Sequence, residues 1–166
     1  MSLEALRAAL PGYAEDIEQN LGLMIDGSAL SERQLWGTVV AVAAAARNAV
    51  VLRELVEEAA AHVPAEVVTA AKAAASIMAM NNVYFRAKHV IGADLPARLR
   101  MRVVARLGVD KIDFELWCLA VSAINGCEVC VRAHHAALDV SAEAANDALR
   151  IAAIVHAAAV ALDAEV

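Results

Sequence analysis

The chain has 166 residues, of which 61% are hydrophobic, with a mean hydropathy of +0.55 and a formal net charge of −6. This length suits one domain, or two small halves that share a core. The negative charge argues against nucleic acid as a partner, because binding it requires a basic surface. This high apolar content makes a core easy to bury but solubility difficult to maintain. An interface buried between subunits is one way to cover the remaining apolar surface.

The most apolar stretches are too short to predict a membrane span. Residues 35–46, 116–124 and 151–162 each cover about twelve residues or fewer, whereas a span needs about 20. The first twenty residues carry five charged side chains and do not resemble a signal peptide. We therefore expect buried helices, no membrane association and a cytoplasmic location. Structural disulfides are rare there, so a close cysteine pair is more often catalytic, redox-sensing or metal-binding.

The elements in chain order predict an all-α fold, because alanine is abundant and no long stretch alternates between apolar and polar residues. Pro11-Gly12 divides two N-terminal helices. Ser31 and Gln34 have the spacing of a capping box, which predicts a helix that ends near Ala46. Asn48 begins a second predicted helix, which extends to His62.

Pro64 suits the first turn of a long alanine-rich helix that reaches toward His89. Asn81-Asn82 lie where a bend or an interruption of this helix is expected. Residues 92–96 form a predicted turn, and a helix is expected near residues 98–106. The last three predicted helices begin near residues 108–110, at Cys127 after the break at Asn125-Gly126, and after Ser141 as an N-cap.

Two segments 81 residues apart indicate an internal repeat. Leu35-Trp36 align with Leu116-Trp117, and at this offset Cys127 and Cys130 align with alanines. We predict that residues 1–166 form a single domain with two pseudo-repeated helical halves, about 28–92 and 109–163, of which the second carries the cysteine pair. Chance similarity between alanine-rich amphipathic helices is the alternative.

The segment from Asn125 to His135 carries the most informative pattern of the chain. Cys127, Cys130 and His134 have the spacing i, i+3 and i+7, which places them on one face of a helix. Because Asn125-Gly126 breaks the preceding helix, Cys127 is expected at a helix N-terminus, where unpaired N–H groups favour an anion such as a thiolate. His134 can share or relay a proton. The pattern favours a dithiol that attacks an oxidant and then closes a disulfide.

Other interpretations of these cysteines remain open. A Cys-x-x-Cys pair can bind zinc, but structural zinc needs four ligands, and no second Cys/His pair with a recognisable spacing is present. The pair can also be two small buried hydrophobic residues. We expect no metal, and we expect the remaining cysteine, Cys118, to pack in the core. His62, His89, His135 and His156 lack a comparable spacing and are interpreted as structural.

Glu115 lies one helix before the cysteines, in a stretch that otherwise indicates burial. A carboxylate in an apolar helix needs a partner or remains protonated. A reversal of the chain at Asn125-Gly126 would bring Glu115 near the thiols as a proton acceptor. A solvated residue in the first turn of its helix is the equal alternative.

At these residues the chain resembles the alkylhydroperoxidase D (AhpD) family, within the carboxymuconolactone decarboxylase-like superfamily. The resemblance covers nearly the whole chain. It rests on segments 114–117 (Phe-Glu-Leu-Trp) and 120–127 (Ala-Val-Ser-Ala-Ile-Asn-Gly-Cys), and on the frame Cys127-x-x-Cys130-x-x-x-His134. Upstream it includes residues 6–11, 35–38 and 78–83.

The resemblance implies a helical subunit that assembles as a homotrimer and acts as an antioxidant peroxidase. It implies reduction of an alkyl or organic hydroperoxide with electrons from dihydrolipoamide on a lipoyl-bearing protein, with no bound cofactor. It also implies transfer of electrons to a partner peroxiredoxin, the alkyl hydroperoxide reductase C component. By position, Cys130 matches the thiol that is oxidised to sulfenic acid, and Cys127 matches the proton donor and resolving thiol. Glu115 and His134 match the proton relay.

One position departs from the family pattern. Some members carry a second histidine directly before the second cysteine, where this chain has Val129. The chemistry is expected to persist with altered thiol acidity. Two rival functions are a non-peroxidatic superfamily enzyme, such as a decarboxylase of a lactone acid, and a binding protein whose disulfide is a switch without turnover.

Overall fold

The computed structural model describes residues 3–92 and 94–165, and within them every regular element is helical. This confirms the all-α prediction. Short 3-10 turns occupy Gly12–Ala14 and Arg102–Arg106. The α-helices are α1 (Leu3–Ala8), α2 (Glu15–Leu23), α3 (Glu32–Ala46), α4 (Ala49–Ala59), α5 (Ala65–Ile91), α6 (Lys111–Ile124), α7 (Glu128–Ala136) and α8 (Ala142–Asp163).

Polar residues begin four of these helices by accepting hydrogen bonds from free backbone N–H groups. Ser31 and Gln34 form a complete capping box at the start of α3, as their spacing predicts. The side chains of Asn48, Asp110 and Ser141 cap α4, α6 and α8. The predicted starts of these helices are therefore confirmed, and each is set by local chemistry.

Helix α5 continues through Asn81-Asn82 without the interruption expected there. Both side chains are buried, and Asn82 donates a hydrogen bond to Ser122 Oγ of α6 at 2.9 Å. Because contacts with α6 satisfy the Asn82 amide, it does not compete with the helix backbone.

The helix expected near residues 98–106 is wrong for most of its length. Residues 94–101 have irregular backbone, and only Arg102–Arg106 form a 3-10 turn. None of residues 94–106 is buried, and Arg98 has a positive φ of 55°. Without packing of an apolar face, helix propensity alone does not stabilise so short a helix.

The core lies around α3, which packs against α4, α5, α6 and α8. At the crossing with α6, a Cβ atom on Gly37 would overlap the indole ring of Trp117. Trp117 Nε1 donates to the carbonyl oxygen of Gln34 at 3.3 Å, which fixes the ring in this crossing. The two helices that carry the aligned Leu-Trp pairs thus contact each other, while the duplication of halves 28–92 and 109–163 stays a prediction.

Helix α8 is long and apolar enough to cross a membrane by length and composition alone. Half of its most apolar 18-residue window is buried inside the protein, and the helix packs on α2, α3, α4 and α6. A core helix passes the same test, so this one helix is weak evidence for a membrane span. The helix predicted after Ser141 is confirmed, and the apolar run 151–162 forms only its second half.

Candidate active site

Cys127 and Cys130 are joined by a disulfide at the start of α7, with their Cα atoms 5.3 Å apart. Gly126, with a φ of +67°, reverses the chain after α6, and the Cys127 N–H donates to the carbonyl oxygen of Ser122 at 3.1 Å. Cys127 therefore occupies the N-cap position of α7, as the Asn-Gly break predicts. This position puts Cys127 at a helix start, where free N–H groups favour an anion such as a thiolate.

The two sulfurs of this disulfide differ in access. Cys130 is 6% exposed and lines a cavity of about 520 Å³, whereas Cys127 is fully buried and does not line it. The other walls come from the second half of α5, from Gly92 and from α7. A molecule in this cavity would therefore meet the Cys130 sulfur.

His134 lines the same cavity as Cys130 and forms a close pair with Glu115. His134 Nδ1 lies 2.6 Å from Glu115 Oε2, and each side chain is 20% exposed. The reversal at Asn125-Gly126 folds α7 back on α6 and brings the two together across 19 residues. This contact rules out the alternative in which Glu115 is a solvated residue in the first turn of its helix. A bond this short is typical of a charge-assisted hydrogen bond, which suits a pair that holds and releases a proton.

A chain of polar groups, of which Asn82 and Ser122 are buried, connects to this pair through Met78, and sequence reasoning assigned it no role. Asn125 Nδ2 donates to Asn82 Oδ1 at 2.9 Å, and Asn82 in turn donates to Ser122 Oγ. Ser122 Oγ and His134 Nε2 lie 3.6 and 3.2 Å from the sulfur of Met78. Two adjacent asparagines in an apolar helix were the available signal, because buried amides require partners.

The cavity also includes residues of α5 that the sequence did not connect with the cysteines. His89, interpreted as structural, lines it together with Phe85, Lys88 and Asn81. Val129, the position at which the chain departs from the family pattern, lines it too. These α5 residues lie about 40 positions before Cys130, so no local spacing could have linked them to the site.

His62 lies elsewhere and has a structural environment. Its ring stacks on Trp36 with ring centroids 4.3 Å apart, and its nitrogens lie 3.5 Å from carboxylate oxygens of Glu32 and Glu58. His135, unlike His134, is exposed, as its position off the cysteine face predicts.

Cys118 packs in the core, as predicted, and is fully buried. Burial raises the pKa of its thiol well above the usual range, and repulsion from the Glu115 carboxylate adds to this effect. Across residues 3–92 and 94–165, no group of three or more His, Cys, Asp or Glu side chains could hold a metal ion.

Comparison with known proteins identifies the class to which this helical site belongs. The sequence profile of the carboxymuconolactone decarboxylase family matches residues 93–165, which include α6, α7 and α8. The second half of the chain, which carries the cysteine pair, is thus similar to this family.

Proteins named alkyl hydroperoxide reductase AhpD match over almost the entire chain. The one from Rhodospirillum centenum is 53% identical over 99% of this chain and 92% of its own length. Those from Streptomyces coelicolor and Gluconacetobacter diazotrophicus are each 50% identical, over 99% and 98% of this chain and 97% and 93% of their own lengths. The chain belongs to the AhpD family, and the resemblance found in its motifs is confirmed.

Proposed function

We propose that this protein is an alkyl hydroperoxide reductase that acts in antioxidant defence through the Cys127–Cys130 dithiol and disulfide. The observation that carries the proposal is the disulfide at the start of α7, with Cys130 on a cavity and the His134–Glu115 pair beside it. The name of the relatives supports the same activity.

In the oxidative half-reaction, the Cys130 thiolate attacks one oxygen of the hydroperoxide and the O–O bond breaks. Cys130 becomes a sulfenic acid, and the departing alkoxide takes up a proton to leave as an alcohol. Cys127, His134 and Glu115 are proposed to supply that proton, since a positioned acid speeds departure of the leaving group.

Closure of the disulfide completes oxidation of the protein. The Cys127 sulfur attacks the sulfenic sulfur of Cys130, the S–O bond breaks, and water leaves. A dihydrolipoyl dithiol then reduces the disulfide by exchange: its two thiols become a cyclic disulfide, and Cys127 and Cys130 become thiols again. No bound cofactor is required.

The cavity walls suit an organic hydroperoxide. Its exposed lining is mainly apolar and includes Phe85, Val129 and Ala133. An alkyl group gains free energy when such a surface leaves water, and hydrogen peroxide offers no such group. The hydrocarbon arm of a lipoyl group would gain from the same apolar surface.

We further propose a lipoyl-bearing protein as electron donor, a peroxiredoxin of the alkyl hydroperoxide reductase C type as partner, a homotrimeric assembly and a cytoplasmic location. A simple thiol is a modest peroxidase, so delivery of electrons to the peroxiredoxin is proposed as a second role. Support for assembly comes from the large exposed apolar side chains at the end of α5.

The test is an anaerobic assay of hydroperoxide consumption with dihydrolipoamide, lipoamide dehydrogenase and NADH, with and without a peroxiredoxin. Cys130→Ser is expected to abolish turnover, and Cys127→Ser to stop recycling, because the disulfide can no longer form. Cys118→Ser is the matched control and is expected to retain turnover. Unchanged hydroperoxide consumption by Cys130→Ser would reject the assignment.

The match to carboxymuconolactone decarboxylases favours one alternative, a non-peroxidatic enzyme that acts on a lactone acid. Such an activity would survive loss of both thiols, so the Cys127→Ser/Cys130→Ser double variant separates the two functions. A redox-switch binding protein would be oxidised once per chain without recycling by lipoamide.

A further inference from the structure

The environment of His134 is unusual because both ring nitrogens contact other side chains. Nδ1 contacts the Glu115 carboxyl group, and Nε2 lies 3.2 Å from the sulfur of Met78. Met78 is 3% exposed, so water does not replace it readily as a partner. The side chain that faces each nitrogen therefore decides where the imidazole carries its hydrogens.

A thioether sulfur can only accept a hydrogen bond. A bare Nε2 would place a lone pair against the lone pairs of Met78 Sδ, whereas an Nε2–H donates to them. The form with hydrogen on Nε2 is thus favoured. The exchangeable proton of the pair then lies between Nδ1 and Glu115, either on the imidazole or on the carboxyl group.

The hydrogen bonds on the other side of Met78 also make its sulfur an acceptor. Ser122 Oγ accepts from Asn82, so its own hydrogen is free to point at Met78 Sδ. Donors from α6 and α7 therefore converge on one sulfur of α5. Each of these groups donates toward Met78 Sδ, and this sulfur has no hydrogen to donate in return.

We propose that Met78 is a positioning residue that holds His134 in the form protonated at Nε2, so that the proton shared with Glu115 is the one available for the redox reaction. The consequence for chemistry rests on the proposed function. When a dithiol attacks the disulfide, the sulfur that leaves as a thiolate needs a proton, and His134 lies one turn of α7 beyond Cys130 on the same cavity.

The experiment measures the ¹⁵N chemical shifts of the His134 ring in the oxidised protein, assigned by loss of its signals in His134→Asn. The wild type is expected to show a protonated Nε2. Met78→Leu has nearly the same volume but no acceptor, and is expected to shift the population toward bare Nε2 with hydrogen on Nδ1. Met78→Gln, with a carbonyl acceptor, is expected to restore the Nε2–H signal.

Met80→Leu is the matched control, because Met80 lies on the same helix and makes no hydrogen bond to the described residues. It is expected to leave the ring signals unchanged. Lipoamide-coupled turnover is expected to fall about two- to tenfold in Met78→Leu and to recover in Met78→Gln.

A bare Nε2 in the wild type, or ring shifts unaltered in folded Met78→Leu, would overturn the proposal. The wild-type spectrum decides the point even if Met78→Leu fails to fold. These signals do not depend on turnover, so a protein without peroxidase activity would reject the proposed function and leave the assignment of the hydrogen standing.

Discussion

At the scale of single residues, the i, i+3, i+7 spacing placed Cys127, Cys130 and His134 at one site because all three belong to one short helix and its N-cap. Glu115 was less certain from sequence, since its position depends on how α6 and α7 fold together. The contacts of Met78 with His134 cross 56 residues and could not be derived from spacing. Local periodicity fixes which face of a helix carries a side chain, but not which other helix packs against it.

The His134–Glu115 pair is expected to act as one unit in proton transfer. Glu115→Gln and His134→Asn should each reduce kcat/KM for a hydroperoxide by about 100-fold, a usual loss for a general acid or base. The kcat/KM of the double variant should be close to that of the less active single variant, because the effects of two groups that act together are not additive. Steady-state kinetics of the three variants and the wild type provide the cycle. If the loss in the double variant equals the product of the two single losses, the two residues act independently.

At the scale of elements, capping residues predicted most helix starts, but no sequence signal identified the crossing of α3 and α6. Gly37 and Trp117 lie 80 residues apart, and only the fold brings the backbone of α3 against the indole ring. For residues 94–101 the helix prediction was wrong, because their composition suits a helix but none of them is buried against a neighbour. The residue at which a helix begins is set by local sequence, whereas the stability of the helix depends on tertiary contacts.

Gly37→Ala is expected to destabilise the protein by about 1–3 kcal/mol, since overpacking forces the Trp117 ring or the two helices apart. Chemical denaturation followed by fluorescence would measure the loss. Gly12→Ala is the control, because its added methyl group would meet no atom within 4 Å. Equal stabilities of the two variants would contradict this account of the crossing.

Asp147 of α8 connects that helix to the segment before α3. Its carboxylate accepts hydrogen bonds from the Ala29 N–H at 2.8 Å, from Ser28 Oγ at 3.1 Å and from Arg150 at 2.9 Å. Burial opposes ionisation, but these bonds outweigh it and hold the pKa of Asp147 below its ordinary value. The ionised form is therefore the one that stabilises the fold.

A lowered pKa in the folded state adds stability that is complete above the unfolded pKa, about 4, and is lost as pH falls through the folded value. Asp147→Asn should therefore cost about 2 kcal/mol at pH 7. The difference from wild type should shrink as pH falls below about 4. Urea unfolding at pH 7 and at acidic pH measures both, and a difference independent of pH would contradict this role.

At the scale of the whole molecule, the basic residues are distributed unevenly along a chain that is acidic overall. Residues 86–111 contain seven Lys or Arg and only two Asp or Glu, in a chain whose net charge is −6. The same region exposes Val90, Ile91 and Leu95 at 79%, 74% and 68%. Apolar side chains with this exposure are typical of an interface between subunits.

Ile91→Asp is expected to weaken the proposed homotrimer, because a carboxylate would lose hydration in an apolar interface. Light scattering after size-exclusion chromatography would show a lower mass than that of the wild type. Val160→Asp, at a 55% exposed position on α8, serves as the control and should leave the mass unchanged. A wild type that elutes as a monomer at all concentrations would reject the assembly itself.

The burial of Cys118 makes this molecule a convenient reporter of its own oxidation. A thiol that stays protonated in a sealed core reacts slowly with alkylating reagents, since the thiolate is the nucleophile. The folded, oxidised chain should therefore remain unlabelled by iodoacetamide, and the first label after reduction should enter at Cys130. Intact-mass spectrometry of rapidly alkylated cell extracts would then count oxidised and reduced molecules directly, without any correction for the third sulfur.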